Sequence, residues 1–370
     1  MPKIVKIAQV GCGSIAQRMI MSRLKAPSVK EKVELVATMD IVSERAKICM
    51  EKFGAKEWYD NYDKMLLEAD IDAVTIATPI HLHYEQVMKA IKAGKHVHCH
   101  KTISTTTQEA TDIIDLAKKN KVNVVASPGT SVKSPIVFRV KQILDEGVIG
   151  KVYWAQSGRQ WEGHEYEPLR KPDNILTDID PSWYYKKGGG PMYDMGVYEL
   201  TELVAIFGPA KKISAMSGIG LEERKYQDKI IDVEMDDNTM FLLDFGDSMF
   251  AHVFSSFSAL ADEGPVPSFS ISGSEGGIRV GKFKGERYKS ILDIWSPRLP
   301  KKYVREEISG YMEDTFVDLM HLVDCIINDI KPIVMDNVES MQIARHVIEI
   351  IEKGYIAAKT GKTIDLKTSF

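Results

Sequence analysis

Three stretches of this chain carry residue types at spacings that could do chemistry. Near the N-terminus, Gly11-Cys12-Gly13-Ser14-Ile15-Ala16 stands between a β-branched run and a helix-like segment. In that context Gly11 permits a tight turn and Gly13 lets a pyrophosphate approach the backbone. Ala16 keeps helix and strand close, and the helix start at Ser14 and Ile15 offers unpaired N–H groups. A glycine turn that merely joins two elements has the same letters, so the strand-turn-helix context is what favours a dinucleotide. The second stretch, Gly94-Lys95-His96-Val97-His98-Cys99-His100-Lys101-Thr102, ends in one lysine. The third is Asp194 and Tyr198, which follow Gly188-Gly189-Gly190 and are four residues apart, on one helix face. A carboxylate and a phenol so placed can orient a hydroxyl and exchange its proton. Such a pair is often structural; the glycine run, which lets backbone approach a ligand, favours function.

Elements at regular spacing must position these groups. Strands are expected at 3–10, 33–39, 57–59, 73–77, 97–99 and 122–126. Helices are expected from the glycine turn to Leu24 and at 43–53, 61–68, 83–93 and 107–119. This alternation predicts right-handed crossovers and a parallel, doubly wound sheet of the Rossmann type. Asp40 ends the second strand, where a carboxylate accepts from ribose hydroxyls and repels a 2′-phosphate. NAD is therefore preferred over NADP, although Arg45 follows five residues later and a plain turn aspartate has the same position. Thr78 and Pro79 lie at the carboxyl end of the fourth strand, where ligands gather in such sheets. His96, His98 and His100 alternate and would share a strand face, as metal-binding histidines do, but no acidic fourth ligand is near and no metal is expected.

Beyond Pro128 the alternation stops, so the chain divides into a dinucleotide-binding domain, 1–128, and a second domain, 129–370. A helix over 134–146 and a strand over 152–155 lead into a long aromatic segment, 156–190, with Arg159, Trp161, His164 and Trp183. Long loops of this kind are often functional and aromatic faces stack on sugar rings, which makes these four candidate substrate contacts. The helix carrying Asp194 and Tyr198 runs to Phe207. Strands at 213–217, 230–235, 239–245, 248–256, 268–272 and 277–280 form a largely antiparallel sheet, with a hairpin at Gly246-Asp247. Helices over 312–328 and 337–359 close the chain and cover one sheet face; the other predicts a homodimer or homotetramer.

The chain of 370 residues has 44% hydrophobic and 27% charged residues and a formal charge of -4, which is globular and gives no reason to expect nucleic acid. No apolar run reaches the ~20 residues of a membrane span, and Met1-Pro2-Lys3 leads directly into a strand, so a cytoplasmic protein is expected. Cys12, Cys49, Cys99 and Cys325 are scattered and indicate neither disulfides nor a thiolate zinc site.

Taken together these segments resemble the Gfo/Idh/MocA family of NAD(P)-dependent oxidoreductases over essentially the whole chain. The carriers are Gly11-x-Gly13-x-x-Ala16, Ala77-Thr78-Pro79 with His83, Ala93-Gly94-Lys95-His96-Val97, Gly188-Gly189-Gly190 with Asp194-x-Gly196, and Thr360-Gly361-Lys362. The resemblance implies a Rossmann domain followed by an α+β domain with a large, mostly antiparallel open sheet. The nicotinamide is expected over the carboxyl edge of the first sheet, with a sugar, glycoside or cyclitol alcohol between it and the second domain. Lys101, its pKa lowered by burial and by oxidised cofactor, becomes the base or proton donor; Tyr198 exchanges the proton and Asp194 orients the pair. His83 and His100 join Thr78 and Pro79 as expected cofactor contacts. Three departures stand out: His100-Lys101-Thr102 where the family has Glu-Lys-Pro, Ile80 where it has asparagine, and Tyr198 where it often has histidine. They leave the ribose and amide contacts open; the tyrosine is similar to the glucose-fructose oxidoreductase branch. Two alternatives remain, a redox-neutral glycoside-cleaving or sugar-modifying enzyme with tightly held NAD, and a dinucleotide-sensing regulator without turnover, against which Lys101 and Tyr198 argue.

Overall fold

Short runs of β-branched and apolar residues build a six-stranded parallel sheet: β1 (Val5–Val10), β2 (Val33–Met39), β3 (Glu57–Tyr59), β4 (Ala73–Ile76), β5 (His96–Cys99) and β6 (Val124–Ala126). The structure is a computed structural model describing residues 4–171, 174–258, 269–283, 286–309 and 317–370. Spatial order is β3-β2-β1-β4-β5-β6, all parallel. The order reverses between β1 and β4, which opens a crevice at the carboxyl ends of those strands. Helices α1 (Pro27–Lys30), α2 (Ser43–Phe53), α3 (Tyr62–Glu68), α4 (Ile80–Lys92) and α5 (Thr107–Asn120) make the crossovers. Burial on both faces explains why these strands read as continuous apolar runs. One expectation is corrected here: the segment after the glycine turn is not one regular helix to Leu24 but a π-helical stretch, Ala16–Met21, and a 3-10 turn, Arg23–Lys25.

The second part begins with α6 (Pro135–Asp145), β7 (Val152–Gln160) and α7 (Val197–Phe207), and continues with β8 (Lys212–Gly218), β9 (Glu223–Tyr226) and β10 (Lys229–Asp232). Then come β11 (Asn238–Gly246), β12 (Met249–Ser256), β13 (Phe269–Gly273), β14 (Gly276–Phe283), β15 (Glu286–Trp295) and β16 (Tyr303–Ser309). The chain ends with α8 (Val317–Asn328), the small pair β17 (Ile333–Met335) and β18 (Val338–Glu339), α9 (Ser340–Thr360) and β19 (Ile364–Asp365). Nine of these strands form one sheet, β16-β15-β14-β13-β7-β12-β11-β8-β19, antiparallel except where β7 meets β12.

The sheet differs from expectation in three places. β7 continues to Gln160, so the first five residues of the expected loop are strand. The run 230–235 supplies β10, which pairs only with β9 in a separate hairpin. β15 and β16 extend the sheet past residue 280; β16, Tyr-Val-Arg-Glu-Glu-Ile-Ser, is a charged edge strand without an apolar face to betray it. Lys3, Ser268 and residues 312–316, assigned from sequence to two strands and a helix, lie outside the described residues.

Helices near the C-terminus join the two parts. Leu319, Leu322, Val323 and Ile326 of α8 pack with Val5, Ile7, Val33 and Leu35 of the parallel sheet. On α9, Met341 and Ile348 enter the core beside α5 and β5, whereas Ile343, Val347, Ile350 and Ile351 enter the core under the large sheet. Strand β11 shows the period-two pattern plainly: Phe241 and Leu243 face that core, while Met240 and Leu242 are exposed. Met216 of β8, 80% exposed, and Phe250 of β12 are exposed large apolar residues of the same sheet. Among the described residues no helix is long and apolar enough to cross a membrane.

Candidate active site

The glycine turn lies at the switch point between β1 and β4. Gly11 has φ +80°, and a Cβ there would come within 2.8 Å of Ala77 O and 2.9 Å of Thr78 Cγ2, so both conformation and space require glycine. Thr78 therefore borders the turn, as its place after β4 predicts, and its hydroxyl donates to Gln86 Oε1 at 2.6 Å. Gly13, Ser14 and Ile15 are half-buried, with Ser14 Oγ accepting from Arg18 Nε at 3.0 Å. Asp40, at the end of β2, is buried. Its Oδ2 accepts from Cys12 N at 2.9 Å, tying the turn to β2; Oδ1 accepts from Val42 N at 3.0 Å and from Arg45 Nη1 at 3.1 Å. A turn fixed by Gly11 and a carboxylate at the end of β2 fit the pyrophosphate and ribose of a dinucleotide. Arg45 is paired with this carboxylate.

β5 delivers Lys101 to the same carboxyl edge, and α4 braces the delivery. His83 is buried with Nδ1 2.6 Å from Thr102 O and Nε2 2.8 Å from Thr78 O, so its ring spans the two segments that follow β4 and β5. Burial pushes its pKa down to about 4, so the neutral ring donates to one carbonyl at a time. His83 thus reaches the site as a brace between backbone segments. His98 is also internal: Nδ1 lies 2.7 Å from Thr75 Oγ1 and Nε2 3.0 Å from Ser127 Oγ, and burial lowers its pKa to about 3. Beyond it, Ser127 Oγ donates to Asp318 of α8 at 2.8 Å. His96 Nδ1 accepts from Asn123 N at 2.8 Å. The three alternating histidines thus have distinct surroundings, and the described residues contain no cluster able to hold a metal. His100, next to Lys101, is held neutral by burial and by the positive charge of Lys101. The Lys101–Thr102 peptide is cis.

Asp194 meets Lys101 from the other part of the chain. The segment Met192–Gly196 is π-helical and leads into α7; all five residues are buried. Lys101 Nζ forms an ion pair with Asp194 Oδ1, and His164 Nε2 lies 2.9 Å from Asp194 Oδ2. Burial alone would raise the Asp194 pKa, but Lys101 and His164 outweigh it and hold the carboxyl well below the usual range. Burial likewise opposes the Lys101 ammonium, and the charge and hydrogen bond of Asp194 outweigh it, so the lysine pKa is raised. The lowered lysine pKa expected from burial is therefore corrected for the chain alone: Lys101 is a cation.

Tyr198 lies on the next turn. Lys101 Nζ is 5.6 Å and Arg159 Cζ 5.4 Å from its ring centroid, and burial raises its phenol pKa. Arg159, near the end of β7, also pairs with Glu199 at 3.0 Å. Lys101, Asp194, Tyr198 and Arg159 are thus brought together, as are His164 and Trp183 by stacking. His164 lies on Tyr184 at a centroid distance of 3.5 Å, and Tyr184 lies on Trp183 at 3.7 Å. His164, an expected substrate contact, is buried beside Asp194, with Nδ1 2.9 Å from Glu167 Oε1. Its pKa is raised because Asp194 and Glu167 outweigh burial. Trp161 is exposed, and its backbone N–H donates to Ser256 O at 2.8 Å. Glu167, Arg170 and Glu199 each carry no signal of their own in the sequence, whereas Tyr184 belongs to the aromatic run at 156–190. The three-residue steps His164, Glu167, Arg170 would have been a usable signal.

Similarity to known proteins agrees with this geometry. The family described as "Oxidoreductase family, NAD-binding Rossmann fold" matches residues 5–127, and the GFO/IDH/MocA C-terminal domain matches 137–279. The chain is 26% identical over 267 residues to levoglucosan dehydrogenase of Pseudarthrobacter phenanthrenivorans, covering 67% of this chain and 64% of that one. It is 26% identical over 213 residues to D-glucoside 3-dehydrogenase of Escherichia coli, covering 55% and 56%. The matched stretches span about half to two thirds of these relatives. In fold, a levoglucosan dehydrogenase complex with NADH superposes with a TM-score of 0.80 at 17% identity, covering 99% of this chain and 100% of that one. Aldose-aldose oxidoreductase of Caulobacter crescentus gives 0.75 at 21%, covering 98% and 100%. The chain belongs to the Gfo/Idh/MocA oxidoreductases, a family built on an NAD-binding Rossmann fold.

Proposed function

We propose that this chain is an NAD-dependent oxidoreductase that moves a hydride between the nicotinamide and a secondary alcohol of a sugar, glycoside or cyclitol. One observation carries the reading: Lys101 from the parallel sheet and Asp194 and Tyr198 from the second part converge at the carboxyl edge of a dinucleotide-type sheet. Sugar dehydrogenases among the relatives support the substrate class. Asp40 favours NAD over NADP. When bound, the dinucleotide supplies the hydride acceptor or donor.

The chain's own residues handle the proton. Asp194 stays ionised between Lys101 and His164 and fixes the Lys101 ammonium in place. As a cation, Lys101 suits donation to the oxygen of a carbonyl being reduced. In alcohol oxidation it acts as base only after shedding a proton, and positive charge from an oxidised cofactor favours that loss. Tyr198, a neutral phenol beside Lys101, relays the proton between lysine and substrate hydroxyl. Arg159, which flanks the same ring, and Trp183 are the proposed substrate contacts. The exposed apolar side chains of the large sheet are the proposed homo-oligomer surface. The test is a screen of sugars, glycosides and inositols with NAD, following NADH absorbance. Turnover of at least one class is expected, and none across the panel in either direction would refute the reading.

A further inference from the structure

Residues 174–180 of the second part lie across the glycine turn of the first. Ile175 O accepts from Arg45 Nε at 2.8 Å, and Leu176 O accepts from Gln17 Nε2 at 3.0 Å. The Leu176 side chain packs against the cluster that holds Cys12, Ala16 and Ile20. Ile179 Cδ1 stands 3.3 Å from the position a Cβ on Gly13 would take. The segment is anchored from outside as well. Asp178 Oδ1 accepts from Tyr226 Oη and Gln227 Nε2, each at 2.8 Å, at the β9-β10 hairpin. Ile179 O accepts from Arg170 Nη1 at 2.5 Å, and Arg170 Nε donates to His164 O at 2.8 Å.

A glycine at position 13 is useful because a pyrophosphate needs the space a side chain would fill. Here Ile179 Cδ1 reaches into that space, so a dinucleotide reaching the face of Gly13 must push the segment outward, and one seated there has the displaced segment over it and must move it again to leave. We propose that residues 174–180 are a third wall of the dinucleotide site, shut over the pyrophosphate, and that their opening limits how fast the dinucleotide dissociates. This rests on the reading of the glycine turn as an NAD cradle. Slow release is also what a redox-neutral use of NAD requires.

The test uses NADH as the probe: the whole chain is loaded with NADH, chased with excess NAD+, and followed by fluorescence in a stopped-flow instrument. Ile179→Ala is expected to speed dissociation by about tenfold, and Asp178→Ala, which frees the outer anchor without touching the cradle, by several-fold. Thermal melting confirms that each variant is folded; should Ile179→Ala not fold, Asp178→Ala carries the test. Dissociation within about twofold of the parent in the folded variants overturns the third wall while leaving the cradle intact. Failure of the parent to bind NADH overturns the cradle and the wall with it.

Discussion

Two buried ion networks meet at adjacent residues, His164 and Glu165, and they are built for different ends. Glu165 belongs to a sealed triad: Arg224 pairs with Glu165 at 2.6 Å and with Asp237 at 2.7 Å, all three side chains at most 1% exposed. Tyr185 donates to Glu165 and its ring lies 4.6 Å from Arg224 Cζ. His164 belongs to the chain Lys101, Asp194, His164, Glu167, Arg170, which ends on a lysine beside Tyr198. The triad is fully enclosed, whereas the side chains of the other network keep between 7% and 24% exposure; what differs further is whether the terminal charge can meet another molecule. The sealed triad holds the 163–165 turn against β9. The other network aligns a proton carrier.

Breaking the sealed triad should cost the most stability. Arg224→Ala leaves two buried carboxylates unpaired, and loss of one member of a buried pair costs about 3–5 kcal/mol. Chemical denaturation would show it, while turnover per folded molecule should hold. Acid is the next largest effect and enters through the first sheet rather than either network. His83 and His98 are neutral in the fold, with pKa values lowered by burial to about 4 and about 3. Their contribution is complete above the ordinary histidine value near 6.5 and is lost as pH falls through that value toward the lowered ones. At pH 4.5 His98 alone accounts for a loss on the order of 3 kcal/mol, which denaturation curves at pH 7 and pH 4.5 would reveal.

Within the open network, Tyr198→Phe should lower turnover by roughly 10²-fold with NADH affinity retained, since it removes only the relay hydroxyl. Isothermal titration and steady-state rates separate those two quantities. His164→Gln keeps a donor toward Asp194 but cannot ionise, and should lower kcat on the order of tenfold, about 1.4 kcal/mol. The histidine pKa is raised in the fold, so its stabilising share is present below pH 6.5 and lost as pH rises through the raised value. The variant should lack that alkaline decline.

How much of this the amino-acid order discloses depends on whether a feature is local. The parallel sheet was legible because strands buried on both faces read as uninterrupted apolar runs, and the glycine turn because Gly11 needs its positive φ. Lys101 from one segment and Asp194 and Tyr198 from another, distant one were legible as chemistry. Their partners were not: Asp194 is 93 positions from Lys101, and no local pattern says that His164 faces Asp194 rather than solvent. The wall at 174–180 was hidden for the same reason, since backbone carbonyls of Ile175 and Leu176 make its contacts to Arg45 and Gln17. Edge strand β16 escaped because charges on an edge blur the apolar alternation.

The central claim is that Lys101 carries the reaction's proton while the cradle binds NAD independently of it. The direct measurement compares the parent chain with Lys101→Ala, scoring NADH affinity by fluorescence and hydride transfer to the best sugar by absorbance. The account predicts similar NADH affinity and a loss of turnover of roughly 10²–10⁴-fold. Normal turnover in Lys101→Ala with NADH bound would contradict it.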